Sequence, residues 1–286
     1  MKYTKKLLAA LVCIGALLAA CGPPAQGGAN GPSGRIVVAG STTVTPIMLA
    51  LSEAFGAANA GVSIEVQELG TSAGINATLQ GVSDIAMASR PLSDDEQAQG
   101  LTPIPIAVDG VAVVVHEQNP VQSLTTQQIQ AIFRGEITNW NQVGGSDASI
   151  TVVSRVEGSG IRATFESFAG VQDEIEVGGR TLMASALFRG AIISPGTGGV
   201  IASVASNPGA IGYITTGLVG DELRAVAING VHFSNETIAD GSYIFANSFL
   251  IGVRQDISPI AQAFVDWIVS PEGQRVVAEN DFVPVH

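Results

Sequence analysis

The sequence predicts an α/β protein of two lobes joined by two crossing strands. Three observations point there. Short apolar strands alternate with helical stretches from residue 35 onward, in the order strand–helix–strand–helix–strand. That order implies a mainly parallel sheet with right-handed crossovers. Two unusually long apolar runs, 108–116 and 243–253, divide the chain into three blocks. Hydroxyl-rich turns follow several of the strands and open helices, the arrangement in which an α/β sheet presents ligands at its carboxyl edge. Periodicity alone also admits a single large doubly wound domain.

The elements follow in order. Residues 35–39 (RIVVA) form a short apolar strand, and 46–58 have the helical period with Met48, Leu51 and Phe55 on one face. Residues 62–67 alternate as a strand, and the turn GTSAG (70–74) leads into a short helix through Leu79. Residues 84–88 are a strand that ends at Ser89-Arg90-Pro91. After the first long run comes a helix over 125–133 with Thr125 as its cap. The β-branched run 150–153 reads as a buried strand, followed by a helix with Phe165 and Phe168 on one face. Beyond it lie a helix near 196–206, a strand at 210–214 and the second long run. A helix over 258–269, a Ser-Pro-Glu-Gly break and a final helix close the chain. The two long runs place lobe 1 at 35–107 plus 244–286 and lobe 2 at 108–243. There is no internal repeat of fixed period.

The first residues set the compartment. Lys2, Lys5 and Lys6 precede an apolar stretch, 7–20, of about signal-peptide length. It is too short to span a bilayer comfortably. The stretch closes with Leu18-Ala19-Ala20-Cys21, which resembles a bacterial lipobox. Residues 1–20 are therefore expected to be a removable signal, and Cys21 to carry lipid. Residues 21–34 have no large apolar side chain and are expected to be a flexible tether. The product would be extracytoplasmic and lipid-anchored.

Composition excludes several classes. Cys13 leaves with the signal and Cys21 carries lipid, so disulfides and thiolate metal sites are excluded from the domain. Loss of the three lysines takes the formal net charge from −12 to −15, against nucleic-acid binding. Such a net charge does not oppose a local anion site, because distant surface charges are screened by salt. No catalytic residue, metal or cofactor is expected. A serine nucleophile wants an adjacent base, and His116, His232 and His286 sit in no motif that supplies one. No phosphate-loop lysine exists beyond residue 6.

The turns carry the chemistry. Ser41-Thr42-Thr43, Thr71-Ser72 and Ser159-Gly160 each follow a strand and open a helix. A helix start offers unpaired N–H groups and partial positive charge, suited to an anion. Arg155 falls at the carboxyl end of its strand with five donors available for an oxyanion. Together these read as a cage for a tetrahedral oxyanion, although any one alone is an ordinary N-cap. Asp84 is expected to accept a hydrogen bond from a protonated ligand oxygen, which favours phosphate and rejects sulfate. The alternative is a strand-edge acid paired with Arg90.

At this point a family resemblance enters. GSTTVTP (40–46), ELGTSAG (68–74), SDIAMASRPL (83–92), VDGVAVVVHEQNP (108–120), LTTQQIQAIFRGEITNW (124–140), RVEGSGIRATFESF (155–168) and NPGAIGYI (207–214) resemble the PstS family of phosphate-binding lipoproteins. The resemblance implies a type II periplasmic-binding-protein fold that closes on inorganic phosphate and delivers it to an ABC transporter permease, as a monomer. Carried over, Ser41 with Thr42 or Thr43 and Ser72 would bind from lobe 1, with Asp84 as acceptor. Arg155, Ser159, Gly160 and Ile161 would bind from lobe 2. Thr71, Arg90 and Arg162 would stand nearby. Two departures stand out. Ile161 replaces the family's usual threonine and offers only its backbone N–H, and the crossing segment 241–249 differs from the usual pattern. Another oxyanion, sulfate or tungstate, or service to a sensor instead of a permease, is the competing expectation.

Overall fold

The computed structural model describes residues 33–285. The expected signal, the lipidation site Cys21, most of the tether and His286 lie outside the described residues.

Lobe 1 begins with β1 (Gly34–Gly40), α1 (Thr45–Ala58), β2 (Val62–Glu68), α2 (Thr71–Leu79) and β3 (Ile85–Ala88). β1 pairs in parallel with both β2 and β3, as the βαβαβ pattern predicts. On α1, Met48, Leu51 and Phe55 are all buried, so one face of a 3.6-residue period supplies the contact with the sheet. α3 (Asp94–Ala98) starts in a capping box, Ser93 with Glu96.

β4 (Leu101–His116) is longer than its apolar run, because its first ten residues pair with β13 (Ala246–Arg254) in lobe 1. Val111 to Val115 pair antiparallel with β10 (Ala210–Thr215) in lobe 2. The strand therefore belongs to both halves. β13 lies antiparallel between β3 and β4, so the sheet is mixed where the alternation predicts a mainly parallel one. Tyr243 and Ile244 precede β13 instead of opening it.

Lobe 2 continues with β5 (Ser123–Leu124), α4 (Thr126–Arg134), β6 (Thr151–Arg155) and α5 (Gly160–Ala169). The predicted Thr125 cap is present, in a capping box with Gln128. Next come a hairpin of β7 (Gln172–Val177) and β8 (Arg180–Ser185), which the sequence pattern did not single out, then β9 (Ile192–Ser194) and α6 (Thr197–Ala205). β10, β6 and β9 are parallel neighbours. β11 (Leu223–Ala225) pairs with β4 and β12 (Ala227–Ile228) with β5, and α7 (Asn235–Ala239) precedes β13. α8 (Pro259–Ile268) and α9 (Pro271–Glu279) return to pack on α1 in lobe 1. The main sheet runs in the order β2-β1-β3-β13-β4-β10-β6-β9, with β11 beside β4, and β5 with β12 and β7 with β8 form two separate two-stranded sheets.

Each half has its own apolar core. One gathers α1, β1, β3, α8 and Phe282; the other gathers Phe133, Trp140, Phe165, Tyr213 and Phe245. Phe165 stacks on Tyr213 at 4.0 Å between centroids, which fixes α5 against β10. Where β4 enters lobe 2, the buried Asp109 accepts the hydroxyls of Thr215 and Thr216, and burial pushes its carboxyl up to about 7. Among the described residues no helix is long and apolar enough to cross a membrane.

Candidate functional site

The carboxyl ends of β1, β3 and β6 and the starts of α1, α2, α5 and α6 converge between the two halves. β1 ends at Gly40, whose φ of +147° suits glycine, and a Cβ there would lie 2.2 Å from Met87 O. That close approach sets Ser41 beside the end of β3. The Ser41 hydroxyl donates to Ser89 Oγ at 2.9 Å and accepts the Thr43 N–H at 3.2 Å. Thr71 Oγ1 lies 3.4 Å from Ser89 Oγ. Gly74 allows α2 to sit on β1, since a Cβ there would meet Gly40 Cα at 2.3 Å.

Lobe 2 brings Arg155. It is 2 % exposed, and its Nη1 donates to Thr197 Oγ1 at 3.1 Å. Its Nη2 donates to Thr42 Oγ1 and to Pro195 O, each at 3.1 Å. Nε has no partner among the described residues. Burial lowers the Arg155 pKa, opposed by attraction from the Glu68 carboxylate; a guanidinium nevertheless stays charged. The other interior arginines are neutralised: Arg90 by Glu96 at 2.7 Å and Arg162 by Glu166 at 2.7 Å. Arg155 has no carboxylate within ion-pair distance among the described residues. A buried cation without a counter-charge is costly unless an anion joins it.

Contacts across the cleft hold the halves together. Besides Arg155 to Thr42, the Ser72 N–H donates to Gly158 O at 3.2 Å and the Thr164 hydroxyl to Ser89 O at 3.0 Å. Asn247, on the crossing strand β13, also donates to Ser89 O at 2.8 Å. Gly160 faces lobe 1 so closely that a Cβ would lie 2.4 Å from Thr71 Oγ1 and 2.5 Å from Ser89 Oγ. This is a closed arrangement.

The structure brings together Ser41, Thr42, Thr71, Ser72, Arg155, Gly158 to Gly160 and the start of α5. Ser159 stands at the N-cap position of α5, yet its hydroxyl makes no cap bond, which leaves that hydroxyl for other partners. Thr43 contributes its N–H to the Ser41 turn and is buried. Ile161 turns its side chain into the lobe-2 core, so only its backbone N–H belongs to the helix start. Arg90 holds Ser72 Oγ at 3.3 Å, and Arg162 holds Arg155 O at 2.9 Å; both brace neighbours while paired to acids.

Asp84 is a correction. It precedes β3, at the amino end of the sheet, where its carboxylate accepts the Val37 N–H at 2.8 Å. Ser89 is five residues on, roughly 16 Å away at the rise of a strand. A carboxylate on the far edge cannot accept a proton from a ligand on the near one. Nor is Asp84 paired with Arg90, whose acid is Glu96. We expect Asp84→Asn to leave anion affinity and selectivity unchanged and to cost about 1 kcal/mol of stability, measured by titration and by thermal unfolding.

Sequence reasoning missed Ser89, Thr164, Thr197 and Asn247. Thr197 was legible: Gly196-Thr-Gly-Gly is another glycine-flanked hydroxyl that opens a helix after a strand. Thr197 Oγ1 also lies 3.4 Å from Thr42 Oγ1, so α6 completes the corner that holds Arg155. Thr197→Val, nearly isosteric, is expected to weaken anion binding about tenfold through loss of a charge-assisted bond, read by calorimetric titration.

A two-lobed α/β fold with donors from both halves gathered at strand carboxyl ends defines a solute-binding protein. A family model described as a PBP superfamily domain matches residues 25–272. The chain belongs to that superfamily and, within it, to the PstS family. It is similar to a structure from Clostridium perfringens described as a phosphate ABC transporter substrate-binding protein with bound phosphate. The two are 38% identical over 88% of this chain and 100% of that one, with a TM-score of 0.82. An ABC-type phosphate transport receptor from Vibrio cholerae is 32% identical over 87% of this chain and 99% of its own, with a TM-score of 0.72. The phosphate-binding protein PstS of Bacillus subtilis is 28% identical, covering 100% of this chain and 95% of its own.

Proposed function

We propose that this protein captures inorganic phosphate between its lobes and hands it to an ABC transporter permease. The observation that carries the reading is Arg155, a buried guanidinium with no acid beside it, ringed by hydroxyls and helix starts from both halves. Ser41, Thr42, Thr43, Ser72, Arg155, Ser159, Gly160 and the Ile161 N–H are the binding set, with Thr71, Ser89 and Thr197 added. Similarity to the phosphate-bound Clostridium protein supports phosphate as the ligand.

The mechanism is capture without chemistry. Lobe 1 (35–107 with 244–286) and lobe 2 (108–243) part about the crossing strands β4 and β13, and phosphate enters. Closure brings Arg155 to Thr42 and Thr164 to Ser89, so ligand affinity and domain closure are linked. Among the described residues no cage hydroxyl hydrogen-bonds a histidine, and His116 Nδ1 instead accepts the Gln118 N–H. Similarity to the Bacillus and Clostridium binding proteins is what supports a binding role over an enzymatic one. Residues 1–20 act as an export signal, Cys21 carries the lipid anchor, and the monomeric domain works outside the cytoplasm. Calorimetric titration of the full-length chain with phosphate tests the reading. Sub-millimolar binding is expected, and its absence would refute it.

A further inference from the structure

We propose that the residues after α9, Asp281 to Val285, form a strap that latches the closed lobes at the crossing strand β4, with Phe282 as the positioning residue. The inference rests on the reading of two lobes that part and close, and adds what holds them closed away from the anion cage.

The strap leaves α9 through a left-handed turn. Asp281 has φ +64°, and the N–H groups of Asp281 and Phe282 donate to Ala278 O and Val277 O, each at 3.3 Å. This pairing ends the helix and turns the following residue back onto it. Phe282 is 4 % exposed, joins the lobe-1 core with Val277, and lies 5.7 Å from Phe249 of β13 between ring centroids. Val283 then pairs with Val108 of β4, exchanging backbone hydrogen bonds at 2.7 and 3.0 Å. Gln274, buried on α9, accepts the Val285 N–H at 2.9 Å and donates to Ile106 O at 3.0 Å. One side chain therefore fixes both strap and strand.

These bonds tie β4 to lobe 1 as far as Val108. The next residue, Asp109, is held by the hydroxyls of Thr215 and Thr216 in lobe 2, and Thr216 Oγ1 also accepts the Gly110 N–H at 3.2 Å. Attachment passes from one lobe to the other between adjacent residues, so a group that bridges this joint acts on lobe motion directly. Phe282 bridges it. A Cβ on Gly217, the neighbour of Thr216, would lie 3.1 and 3.2 Å from two carbons of the Phe282 ring, so the ring rests on bare lobe-2 backbone. Beside that contact, Val108, Val283 and Val285 share a hollow of about 630 Å³ with Ile238 and Ala239 of α7 in lobe 2. The hollow gives α7 room to move against the strap while the ring contact makes and breaks. A contact made in the closed arrangement and lost on opening shifts the equilibrium toward closure, and ligand affinity rises with the closed fraction.

The experiment is calorimetric phosphate titration of the full-length chain and of Gly217→Ala, Phe282→Leu and the double variant. Gly217→Ala crowds the ring, and Phe282→Leu withdraws the carbons that meet Gly217. Each single substitution is expected to weaken phosphate about fivefold by lowering the closed fraction. The double variant should return to within about twofold of the unsubstituted chain, because the alanine methyl fills the space the ring vacates and the two effects are coupled through one contact. A purely core-filling Phe282 would lower the melting temperature of Phe282→Leu and leave both affinities unchanged. Unchanged affinity in the folded single variants, or losses that add in the double, would overturn the inference and leave the phosphate reading standing. If the unsubstituted chain binds no phosphate, that reading falls and small-angle scattering without ligand judges the latch. A larger radius of gyration in the single variants than in the unsubstituted and double forms supports it, and equal radii overturn it.

Discussion

Replacing Arg155 by alanine is expected to weaken phosphate binding by about 1,000-fold, roughly 4 kcal/mol. Arg155 is 2 % exposed, so its charge acts where water screens little. In the closed protein it also joins Thr42 of lobe 1 to Thr197 of lobe 2, each at 3.1 Å. Alanine therefore removes the cation that attracts the ligand and the bridge that rewards closure. Each hydrogen bond to a charged group contributes about 1.5–3 kcal/mol, and two or three such bonds reach the stated loss. The fold should survive: the substitution removes a buried charge that no acid offsets, a change that is often neutral or stabilising. Calorimetric titration gives the affinity, and thermal unfolding without ligand separates it from stability. Lysine at 155 should recover only part of the affinity, because a point charge cannot donate to Thr42 and Thr197 in the planar fork.

Gly160→Ala is expected to cost at least 100-fold in affinity by propping the cleft open. The added Cβ would lie 2.4 Å from Thr71 Oγ1 and 2.5 Å from Ser89 Oγ, closer than such atoms approach. Both neighbours are short, buried side chains on packed elements, with little room to yield. Ser89 is further pinned through its carbonyl by Thr164 and Asn247. Alanine is a better helix former than glycine, so α5 itself loses nothing. The predicted signature is weak binding with an unchanged melting temperature, and small-angle scattering that shows no compaction when phosphate is added.

These two residues show how differently the site was written in the chain. Arg155 and the Gly-Ser-Gly start of α5 were legible because their chemistry is local: a strand end, a turn, a helix start. The same held for Ser41 to Thr43 and Thr71-Ser72, and for the elements they join. Thr197 follows the same rule but lies in a glycine-rich stretch of several equivalent turns. Ser89 and Asn247 carry no local signal, since each matters only through partners 18 to 158 residues distant. Asp84 misled for a related reason: an acid at one end of a four-residue strand and a serine at the other look equally close in sequence.

By itself the sequence determined which turns could hold an anion, because N–H groups, hydroxyls and a strand-end arginine are set by neighbours one to five positions away. It also determined that two long apolar runs would cross between halves, because continuous burial needs cover on both faces. The tertiary structure alone decided which edge of β3 faces the cleft, and so removed Asp84 from the site and put Ser89 there. It alone decided that β13 inserts antiparallel beside β3, because strand order depends on long-range pairing that periodicity does not encode. It alone decided that Arg155 lacks an acid while Arg90 and Arg162 each have one. Pairing of charges is settled by which side chains meet when the chain closes, and not by their order along it.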